Sequence, residues 1–306
     1  MMRSQSYTSV KMAKLMNDGF AVFILTNRRS EKVYTYKTLK RGGYTGAVYL
    51  LVDDEDPEKD NYLKKYKDEV IIFNKQDAVK MTDSGNNFGK TNSVVFARNI
   101  NFIIAKEMGL KYFLQLDDDY SDFGYVTDGK GNYVTKNTRT KKLDDIFKHT
   151  LKFLEDSGAS SVAFSQGGDF IGGKKGNGVR KAVEGKFLRK AMNSFFISTA
   201  RPFKFVGMMN DDVNTFISLS KTGNLFCTFL PFRLWQRPTQ SNEGGLTEMY
   251  LEMGTYVKSF YTVMYEPSCT TVVEMGSVNR RLHHKTSWKY AAPVILDEKF
   301  KKVSKC

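Results

Sequence analysis

The sequence predicts an α/β fold in which a mainly parallel β-sheet is sandwiched between helices. Four short, largely apolar runs, at 21–26, 47–52, 70–73 and 112–116, are separated by helical patterns. Runs without regular polar alternation are typical of strands buried on both faces of a parallel sheet. Parallel neighbours need crossover connections, and the intervening helices supply them. We therefore expect a single α/β domain over residues 1–306.

The first three connecting helices are predicted from the residues at their ends. Ser30 can cap a helix that continues to about Leu39, and the glycines at 42–43 should end it. The Asp-Pro pair at 56–57 gives the next helix an N-cap followed by proline at its first position. A third, shorter helix is expected near 75–81.

The helix before the fourth strand shows a helical hydrophobic periodicity. Its sequence, VVFARNINFIIAKEMG, spans 94–109, and Gly109 suits the position just after the last turn. Five apolar residues are expected to share its buried face: Phe96, Ile100, Ile103, Ile104 and Met108.

The second half of the chain is less regular, and we expect it to form an irregular C-terminal portion of the same domain. Residues 165–180 contain six glycines and are expected to form a loop. Around this loop the sequence predicts strands at 161–165, 194–199 and 225–230, and helices at 142–158, from Asn210 to Gly223, and at 247–260.

Charge and cysteine content restrict the class of protein. Lys and Arg number 47 against 33 Asp and Glu, so the formal net charge is +14. Such an excess favours a polyanionic partner, although it is also expected where charge serves only solubility. The three cysteines are scattered, which argues against a disulfide framework or a zinc site and favours a reducing compartment. Since neither a signal peptide nor a membrane-spanning run is recognisable, we expect a cytoplasmic protein without membrane contact.

Three acids, Asp117, Asp118 and Asp119, directly follow the fourth apolar run. Ligand sites in open α/β sheets lie beyond the carboxyl ends of strands. Alternation along the chain points Asp117 and Asp119 the same way and Asp118 the other way. Two converging carboxylates repel each other unless a cation lies between them, and Mg²⁺ or Mn²⁺ that also holds a diphosphate would suit them. The alternative is a turn whose acids simply face water.

Residues 84–91, SGNNFGKT, resemble a phosphate-binding P-loop. That motif has four residues between its two glycines, whereas Gly85 and Gly89 enclose only three. The segment also does not directly follow the first buried strand, so a P-loop nucleoside triphosphatase is disfavoured.

A second acidic element, Asn210-Asp211-Asp212, opens a predicted helix. Asp and Asn at such a position are commonly caps, and the functional alternative is a general base or a carboxylate that holds an acceptor hydroxyl. His283 and His284 lie in a basic segment near the C-terminus. They are either surface residues or a further ligand of a carboxylate-bound cation.

Basic residues cluster at 28–41, 130–142 and 174–190. Three such clusters suit a surface that follows a phosphate backbone, where each Lys or Arg neutralises charge and releases counterions. The alternative is a solvated basic face. The residues expected to contact DNA are Lys174, Lys175, Arg180, Lys181, Arg139 and Lys141.

The segment 97–120, ARNINFIIAKEMGLKYFLQLDDDY, resembles GT-A glycosyltransferases, in which an Ala-Arg-Asn helix precedes an apolar strand and an Asp-x-Asp motif. Further landmarks follow in the same order: Thr26-Asn27-Arg28, Asp53, a glycine-rich loop at 165–178, the acids at 211–212 and a histidine at 283–284. Together with the basic excess, these landmarks are similar to the TET-associated glycosyltransferases of bacteriophages. Those enzymes are thought to add sugars to hydroxymethylated pyrimidines in DNA.

The resemblance implies a Rossmann-like GT-A fold with a nucleotide-sugar-binding half at about 20–120 and an acceptor-binding half at about 121–290. It implies a hexosyltransferase that uses Mn²⁺ or Mg²⁺ and moves a sugar from a nucleotide sugar, such as a UDP-sugar, to 5-hydroxymethylcytosine in DNA. The residues that it assigns are Thr26, Asn27, Arg28, Asp53, Arg98, Asp117 and Asp118 for the nucleotide sugar, Asp117, Asp119, His283 and His284 for the metal, and Asp212 or Asp211 for the acceptor hydroxyl.

Two other functions stay open at this point. The first is a GT-A enzyme that acts on a glycan, a lipid or a protein, with the basic charge incidental. The second is a non-catalytic nucleic-acid-binding module on an α/β scaffold. The oligomeric state is not predicted.

Overall fold

A computed structural model describes residues 19–85, 89–128, 133–134, 139–166, 194–237, 254, 256–276, 280–291 and 298. Within these residues the main sheet has eight strands. They are β1 (Phe20–Leu25), β2 (Ala47–Asp53), β3 (Val70–Phe73), β4 (Tyr112–Asp117), β5 (Tyr120–Tyr125), β6 (Ser161–Ser165), β7 (Ser194–Ser198) and β8 (Phe226–Gln236).

The strands follow the order β3-β2-β1-β4-β7-β6-β8-β5 across the sheet. The first four are mutually parallel, and β6 is parallel to β8. Strand β7 runs antiparallel to both of its neighbours, and β5 runs antiparallel to β8 at the sheet edge. The predicted mainly parallel α/β sheet is therefore confirmed.

Helices and one small hairpin complete the described fold. The helices are α1 (Tyr34–Arg41), α2 (Lys59–Tyr66), α3 (Lys75–Lys80), α4 (Val94–Glu107), α5 (Leu143–Ser157), α6 (Asp211–Lys221), α7 (Val257–Tyr265) and α8 (Trp288–Ala291). Strands β9 (Thr270–Met275) and β10 (Arg281–Thr286) pair antiparallel in a separate two-stranded sheet. In this part of the chain no helix has both the length and the apolar character that a bilayer crossing requires.

Helices cover both faces of the main sheet, which is why its central strands are apolar throughout. In β1, Val22 and Ile24 belong to one core cluster, and Ala21 and Phe23 to the other. Helices α1, α2 and α5 contribute to the first cluster, and α3, α4 and α6 to the second. The carboxyl ends of the parallel strands therefore stand at one edge of a rigid, fully covered sheet.

Two predicted helix starts differ from the structure. Ser30 does not cap a helix: α1 begins at Tyr34, and the N–H of Ser30 instead donates to Oε2 of Glu58 at 2.7 Å. Helix α2 begins at Lys59, after a turn in which Asp56 accepts the N–H of Glu58 at 2.8 Å. At Ser30 a long-range contact fixes the backbone in place of a helix start, and at Asp56 the carboxylate is used in a turn before the helix.

Four further features of the described fold differ from the sequence prediction. Ile103 is 42% exposed and does not belong to the buried face of α4. Strand β5 was not predicted, because its sequence, YSDFGY, lacks an apolar run. Strand β8 continues beyond the predicted residue 230 to Gln236, because its second part pairs with β5. Of the helix expected at 247–260, the described part begins at Val257 and continues to Tyr265.

Candidate active site

The candidate site lies where β1, β2 and β4 end side by side. Strand β1 lies between β2 and β4, and all three are parallel, so Thr26, Asp53 and Asp117 come together at one edge. This is the edge at which open α/β sheets bind ligands. Several polar side chains predicted from the sequence are thus brought together by the strand order alone.

The loop after β1 is attached to the acids after β2. The Nδ2 group of Asn27 donates to Oδ2 of Asp53 at 3.0 Å and to Oδ2 of Asp56 at 3.2 Å. The backbone N–H of Arg28 donates to the same Asp56 oxygen at 2.8 Å, with Arg28 in the left-handed region at φ 55°. Lys75 lies 3.6 Å from Asp53 and offsets part of its charge. Burial raises the pKa of Asp53, and Lys75 opposes that rise.

Asp118 points into the protein, opposite to Asp117 and Asp119, as the alternation predicts. Its Oδ2 accepts the hydroxyl of Thr26 at 2.8 Å, and its Oδ1 accepts a guanidinium N–H of Arg29 at 2.9 Å. Asp118 is only 3% exposed, and burial raises its pKa against the opposing charge of Arg29. Because protein donors occupy both oxygens, this placement favours a supporting role over the expected contact with a nucleotide sugar.

Thr35, near the start of α1, holds the turn that carries the acids. Its hydroxyl donates to the carbonyl of Asp117 at 2.6 Å and accepts the N–H of Tyr120 at 3.0 Å. Its own N–H donates to the carbonyl of Asp118 at 3.1 Å. The sequence analysis missed this residue, because a buried threonine 82 positions before Asp117 has no local pattern that marks it.

Arg98, from α4, joins the acids after β4 to the acids that open α6. One guanidinium nitrogen lies 3.2 Å from Oδ1 of Asp117 and the other lies 3.2 Å from Oδ2 of Asp211. The rings of Phe195 and Phe205 lie against the guanidinium, with centroids 5.2 and 5.5 Å from its central carbon. Arg98 is 3% exposed, so the structure places it as a buried bridge, whereas the resemblance implied a contact with the diphosphate.

This bridge keeps an arginine charged in a buried position. Burial lowers the pKa of Arg98, but the charges of Asp211, Asp117 and Asp212 together hold it above its ordinary value. Burial raises the pKa of Asp211, and Arg98 opposes that rise. A buried charge is tolerated only when it is paired, so Arg98 and its two carboxylates depend on one another.

Asp119 stands outside this bridge, half-buried, beside the end of β8. The Nε2 group of Gln236 donates to both carboxylate oxygens, at 3.2 and 3.1 Å, and the N–H of Arg237 donates to the carbonyl at 3.2 Å. Burial and then the charge of Asp117 raise the pKa of Asp119 to about 7. Such a shift is typical of a buried carboxylate beside other acids whose charge nearby donors offset only in part.

Arg237 is exposed, and its guanidinium carbon lies 3.7 Å from the ring centroid of Tyr34. No carboxylate of the described residues lies within ion-pair distance of this guanidinium. The sequence did not reveal Gln236 and Arg237 as site residues. They reach Asp119 only because Tyr120 pairs with Gln236 across the β5–β8 ladder.

The predicted metal ligands are only partly assembled. Within the described ranges, no three His, Cys, Asp or Glu side chains lie close enough together to form a complete metal site. Asp117 and Asp119 share one edge, whereas His283 and His284 are not brought into a group with them. The assignment of either histidine as a metal ligand stays a prediction.

The acids at the start of α6 have a distinct local geometry. Asn210 adopts a left-handed conformation at φ 55°, and its side chain does not cap the helix. Its Nδ2 group instead donates to the carbonyl of Lys258 at 2.8 Å and contacts Nδ1 of His284 at 3.3 Å. Asp212 accepts the N–H of Val213 at 2.8 Å, and Asp211 faces Arg98. The expected side-chain cap is therefore replaced by contacts that orient the two acids.

Comparison with known families decides what this arrangement is. The family described as TET-Associated Glycosyltransferase matches residues 20–245. The chain belongs to this family. It is therefore a glycosyltransferase, and the fold class and the enzyme class predicted from the sequence are both confirmed. No curated protein matches its sequence significantly.

Solved structures resemble the chain at low identity. One is glucosyl-3-phosphoglycerate synthase from Mycobacterium tuberculosis with Mg²⁺ and UDP, at 11% identity and a TM-score of 0.44, with 88% of each chain covered. Another is mannosyltransferase PcManGT from Pyrobaculum calidifontis with GDP-Man and Mn²⁺, at 11% identity and a TM-score of 0.45, with 81% of this chain and 73% of that chain covered. Similarities of this size are too weak to carry an argument about function.

The residues of this TET-associated glycosyltransferase that we expected to contact DNA are only partly described. Lys174, Lys175, Arg180 and Lys181, like most of the glycine-rich segment, lie outside the described residues. Lys141 is exposed. Arg139 is also exposed, but its guanidinium pairs with Asp122 at 2.9 Å, so part of its charge is already offset within the protein.

Proposed function

We propose that this glycosyltransferase moves a sugar from a nucleotide sugar, in particular a UDP-sugar, to the hydroxyl of 5-hydroxymethylcytosine in bacteriophage DNA. Membership of the TET-associated glycosyltransferase family is the observation that carries the proposal. The convergence of Asp117, Asp119, Asp211 and Asp212 around the carboxyl edge of β4 supports it. The formal charge of +14 is consistent with a polyanionic acceptor.

The strand ends of residues 20–120 are the proposed nucleotide-sugar-binding half. Asn27 and Asp53 would meet the nucleoside, and Thr26 and Arg29 keep the neighbouring Asp118 fixed. Arg237 would face the diphosphate, since it offers an exposed guanidinium beside Asp119. A preorganised cation at this place stabilises the negative charge that grows on the departing diphosphate.

Asp117 and Asp119 fit a divalent cation. Both supply hard oxygen ligands, and burial together with the neighbouring charge of Asp117 raises the pKa of Asp119 to about 7. Mg²⁺ is commonly held by one or two carboxylates together with substrate phosphates and water, so a complete protein cage is not required. When bound, Mn²⁺ or Mg²⁺ would stabilise the leaving nucleoside diphosphate as a Lewis acid.

Residues 121–290 are the proposed acceptor-binding half, and Asp212 is its proposed general base. The acceptor hydroxyl oxygen forms a bond to the anomeric carbon, the bond from that carbon to the diphosphate oxygen breaks, and the hydroxyl proton passes to the Asp212 carboxylate. Asp211 is less suited to accept this proton, because it is paired with Arg98. A base within duplex DNA has to leave the helical stack to reach this position.

The proposal is tested by incubating the protein and Mn²⁺ with a panel of nucleotide sugars and duplexes that contain 5-hydroxymethylcytosine, 5-hydroxymethyluracil or cytosine. Mass spectrometry of the digested nucleosides should show a hexose added to 5-hydroxymethylcytosine and none to cytosine. Hydrolysis of a nucleotide sugar without transfer to either hydroxymethylated base would contradict the DNA acceptor. In that case a glycan, lipid or protein acceptor becomes the better hypothesis.

A further inference from the structure

The hairpin of β9 and β10 is fixed beside the acids of α6. The side chain of Asn210, the residue before Asp211, contacts Nδ1 of His284 on β10 at 3.3 Å. On the other side of the hairpin, the ring of Trp288 packs against Phe216 of α6, with centroids 5.8 Å apart. These contacts tie the hairpin to the helix whose first residues are the proposed acceptor acids.

Helix α7 supports the hairpin from behind. The hydroxyl of Ser259 donates to the carbonyl of Leu282 at 3.0 Å, and the side chain of Asn210 donates to Lys258 and Thr262 on the same helix. The N–H of Ser287 donates to the carbonyl of Cys269 at 2.8 Å and closes the base of the hairpin. The hairpin is therefore held in place by hydrogen bonds on two sides.

We name the described residues of 270–291 the basic hairpin, because their charge is one-sided. Their cations are Arg280, Arg281, Lys285 and Lys289, against a single acid, Glu274. Arg280 pairs with Glu274 at 3.3 Å. Arg281, Lys285 and Lys289 are all exposed, so three positive charges face solvent on a hairpin whose His284 contacts Asn210, the residue before the acids of α6.

The same surface carries rings and apolar side chains between its charges. Tyr290 is 62% exposed with the ammonium of Lys289 over its ring, and Leu282 is 42% exposed. The rings of His283 and His284 are stacked, with centroids 4.4 Å apart. Flat side chains among cations suit a partner that has both phosphates and bases.

We propose that the basic hairpin is a DNA-binding surface that holds the phosphates flanking the acceptor base beside Asp211 and Asp212. This inference rests on the proposed DNA acceptor and assigns to it residues outside the three basic clusters of the sequence. Arg281 and Lys285 would neutralise phosphates, and His284 links their strand to the acceptor acids through Asn210. Phosphate contacts of this kind set the position of a duplex without reading its sequence.

DNA is favoured over an anionic membrane because of where the hairpin lies. His284 of its strand β10 contacts Asn210 at the start of α6, so a partner bound to the hairpin would lie near the proposed acceptor site. A membrane-binding surface would instead carry a continuous apolar face. Alternation along β10 places Arg281 and Lys285 on one face of the strand and Leu282 on the other, so the cations do not border a continuous apolar face.

The test compares Arg281→Gln/Lys285→Gln with the wild-type protein in duplex binding across a series of salt concentrations. Each lost phosphate contact lowers the slope of log K against log salt by about 0.9, so we expect the slope to fall by about 2 and the affinity by roughly 10-fold or more at low salt. The matched control is Lys106→Gln/Lys111→Gln. These two exposed lysines lie before the start of β4, at the end of the strand opposite to the acids, and the control variant should bind DNA like the wild type. UDP affinity and the melting temperature should be unchanged in both variants.

The outcomes separate the two proposals. A wild-type protein that does not bind the duplex would overturn both the DNA acceptor and the role of the hairpin. Wild-type binding with the same salt slope in Arg281→Gln/Lys285→Gln would overturn the hairpin alone. If the variant instead loses binding to phosphatidylserine vesicles while its duplex binding is unchanged, the surface is a membrane contact and the proposal is wrong.

Discussion

The acids of the site form two groups. We call Asp53 and the acids at 117–119, which follow β2 and β4, the donor edge, and Asp211 and Asp212, which open α6, the acceptor edge. The two groups keep their charges in different ways. At the donor edge, Asp53 and Asp118 find their partners nearby in the same half of the chain, in Lys75 and Arg29. At the acceptor edge, Asp211 pairs with Arg98, which comes from the donor half. Asp53 and Asp118 thus have cationic partners in their own half of the chain, whereas Asp211 relies on an arginine from the other half.

This difference has a consequence for how the two halves act together. Arg98 is shared between Asp117 and Asp211, and the rings of Phe195 and Phe205 restrict where its guanidinium can lie. Any change in the position of Asp117 therefore alters the partner of Asp211. Groups within one buried charge network are expected to be energetically coupled.

The largest effect is expected from Asp119→Asn, which removes a donor-edge carboxylate without changing its shape. Loss of the proposed cation ligand should cost several kcal/mol of transition-state stabilisation, so sugar transfer should fall by about 1000-fold. Donor hydrolysis and DNA transfer, both followed by mass spectrometry, report the loss. Asp122→Asn, which lies nearby but pairs with Arg41 and Arg139, is the matched control and should keep its activity.

The same variant, Asp119→Asn, should lose activity but gain stability at high pH. The folded-state pKa of Asp119, about 7, lies above its ordinary value of 3.8, so the folded protein holds the proton more tightly than the unfolded chain. When a chelator removes divalent cations, the contribution of Asp119 to stability is present below about pH 4 and is lost as the pH rises toward 7. Asp119→Asn should remove this loss and be more stable at pH 8 by on the order of 2 kcal/mol in urea unfolding. Equal stability of the two proteins at pH 8 would contradict the burial of this charge.

The next largest effect is expected from Arg98→Met, which deprives both edges of their shared cation. Two buried carboxylates are left without compensation, and breaking such a pair costs about 3–5 kcal/mol in urea unfolding. Arg98→Met/Asp211→Asn should recover part of that loss, because one of the two orphaned charges is removed. Arg139→Met breaks an exposed ion pair of similar length, at 2.9 Å, and should cost less than about 1 kcal/mol. Additive effects in the double variant would show that Arg98 and Asp211 are not coupled.

The donor edge could be predicted from sequence far better than the acceptor edge. Continuous apolar strands mark a sheet covered on both faces, and in such a sheet strand order alone brings Thr26, Asp53 and Asp117 together. Alternation also placed Asp118 correctly on the opposite side from its neighbours. These features follow from local periodicity and from one rule about parallel sheets.

The acceptor edge and the surroundings of Asp119 depend on contacts between residues far apart in the chain, which no local sequence pattern indicates. Arg98 was singled out only by the resemblance to GT-A glycosyltransferases, and no local pattern indicates that its partner is Asp211, 113 positions further along the chain. Gln236 reaches Asp119 only through the β5–β8 ladder, and the sequence of β5 is too polar to be recognised as a strand. Asn210 was expected to cap a helix, but contacts with α7 and β10 take its side chain.

A smaller effect is expected from Arg237→Gln, which tests whether an arginine from the acceptor-binding half contacts the diphosphate beside Asp119. Its guanidinium is exposed over Tyr34 beside Asp119, so its loss should weaken UDP binding by roughly 10-fold, equivalent to about 1.4 kcal/mol, and leave uridine binding unchanged. Calorimetry with the two ligands measures the difference. Arg41→Gln removes an exposed arginine already engaged by Asp122 and should bind both ligands normally. An equal loss for UDP and uridine would point to a disturbed fold.

The smallest effect on the reaction is expected from Thr26→Val, which removes one of the local partners of Asp118. The carboxylate loses the hydroxyl donor at 2.8 Å but keeps Arg29 at 2.9 Å, so unfolding in urea should show a loss of about 1–2 kcal/mol. Thr150→Val is the matched control: it removes a buried hydroxyl that only duplicates a bond to a helix carbonyl, at 2.8 Å, and should cost less than about 0.5 kcal/mol.

Transfer activity should stay close to that of the wild type, because Asp118 faces away from the proposed cation. A large fall in kcat for Thr26→Val with unchanged stability would instead give Asp118 a direct part in the reaction.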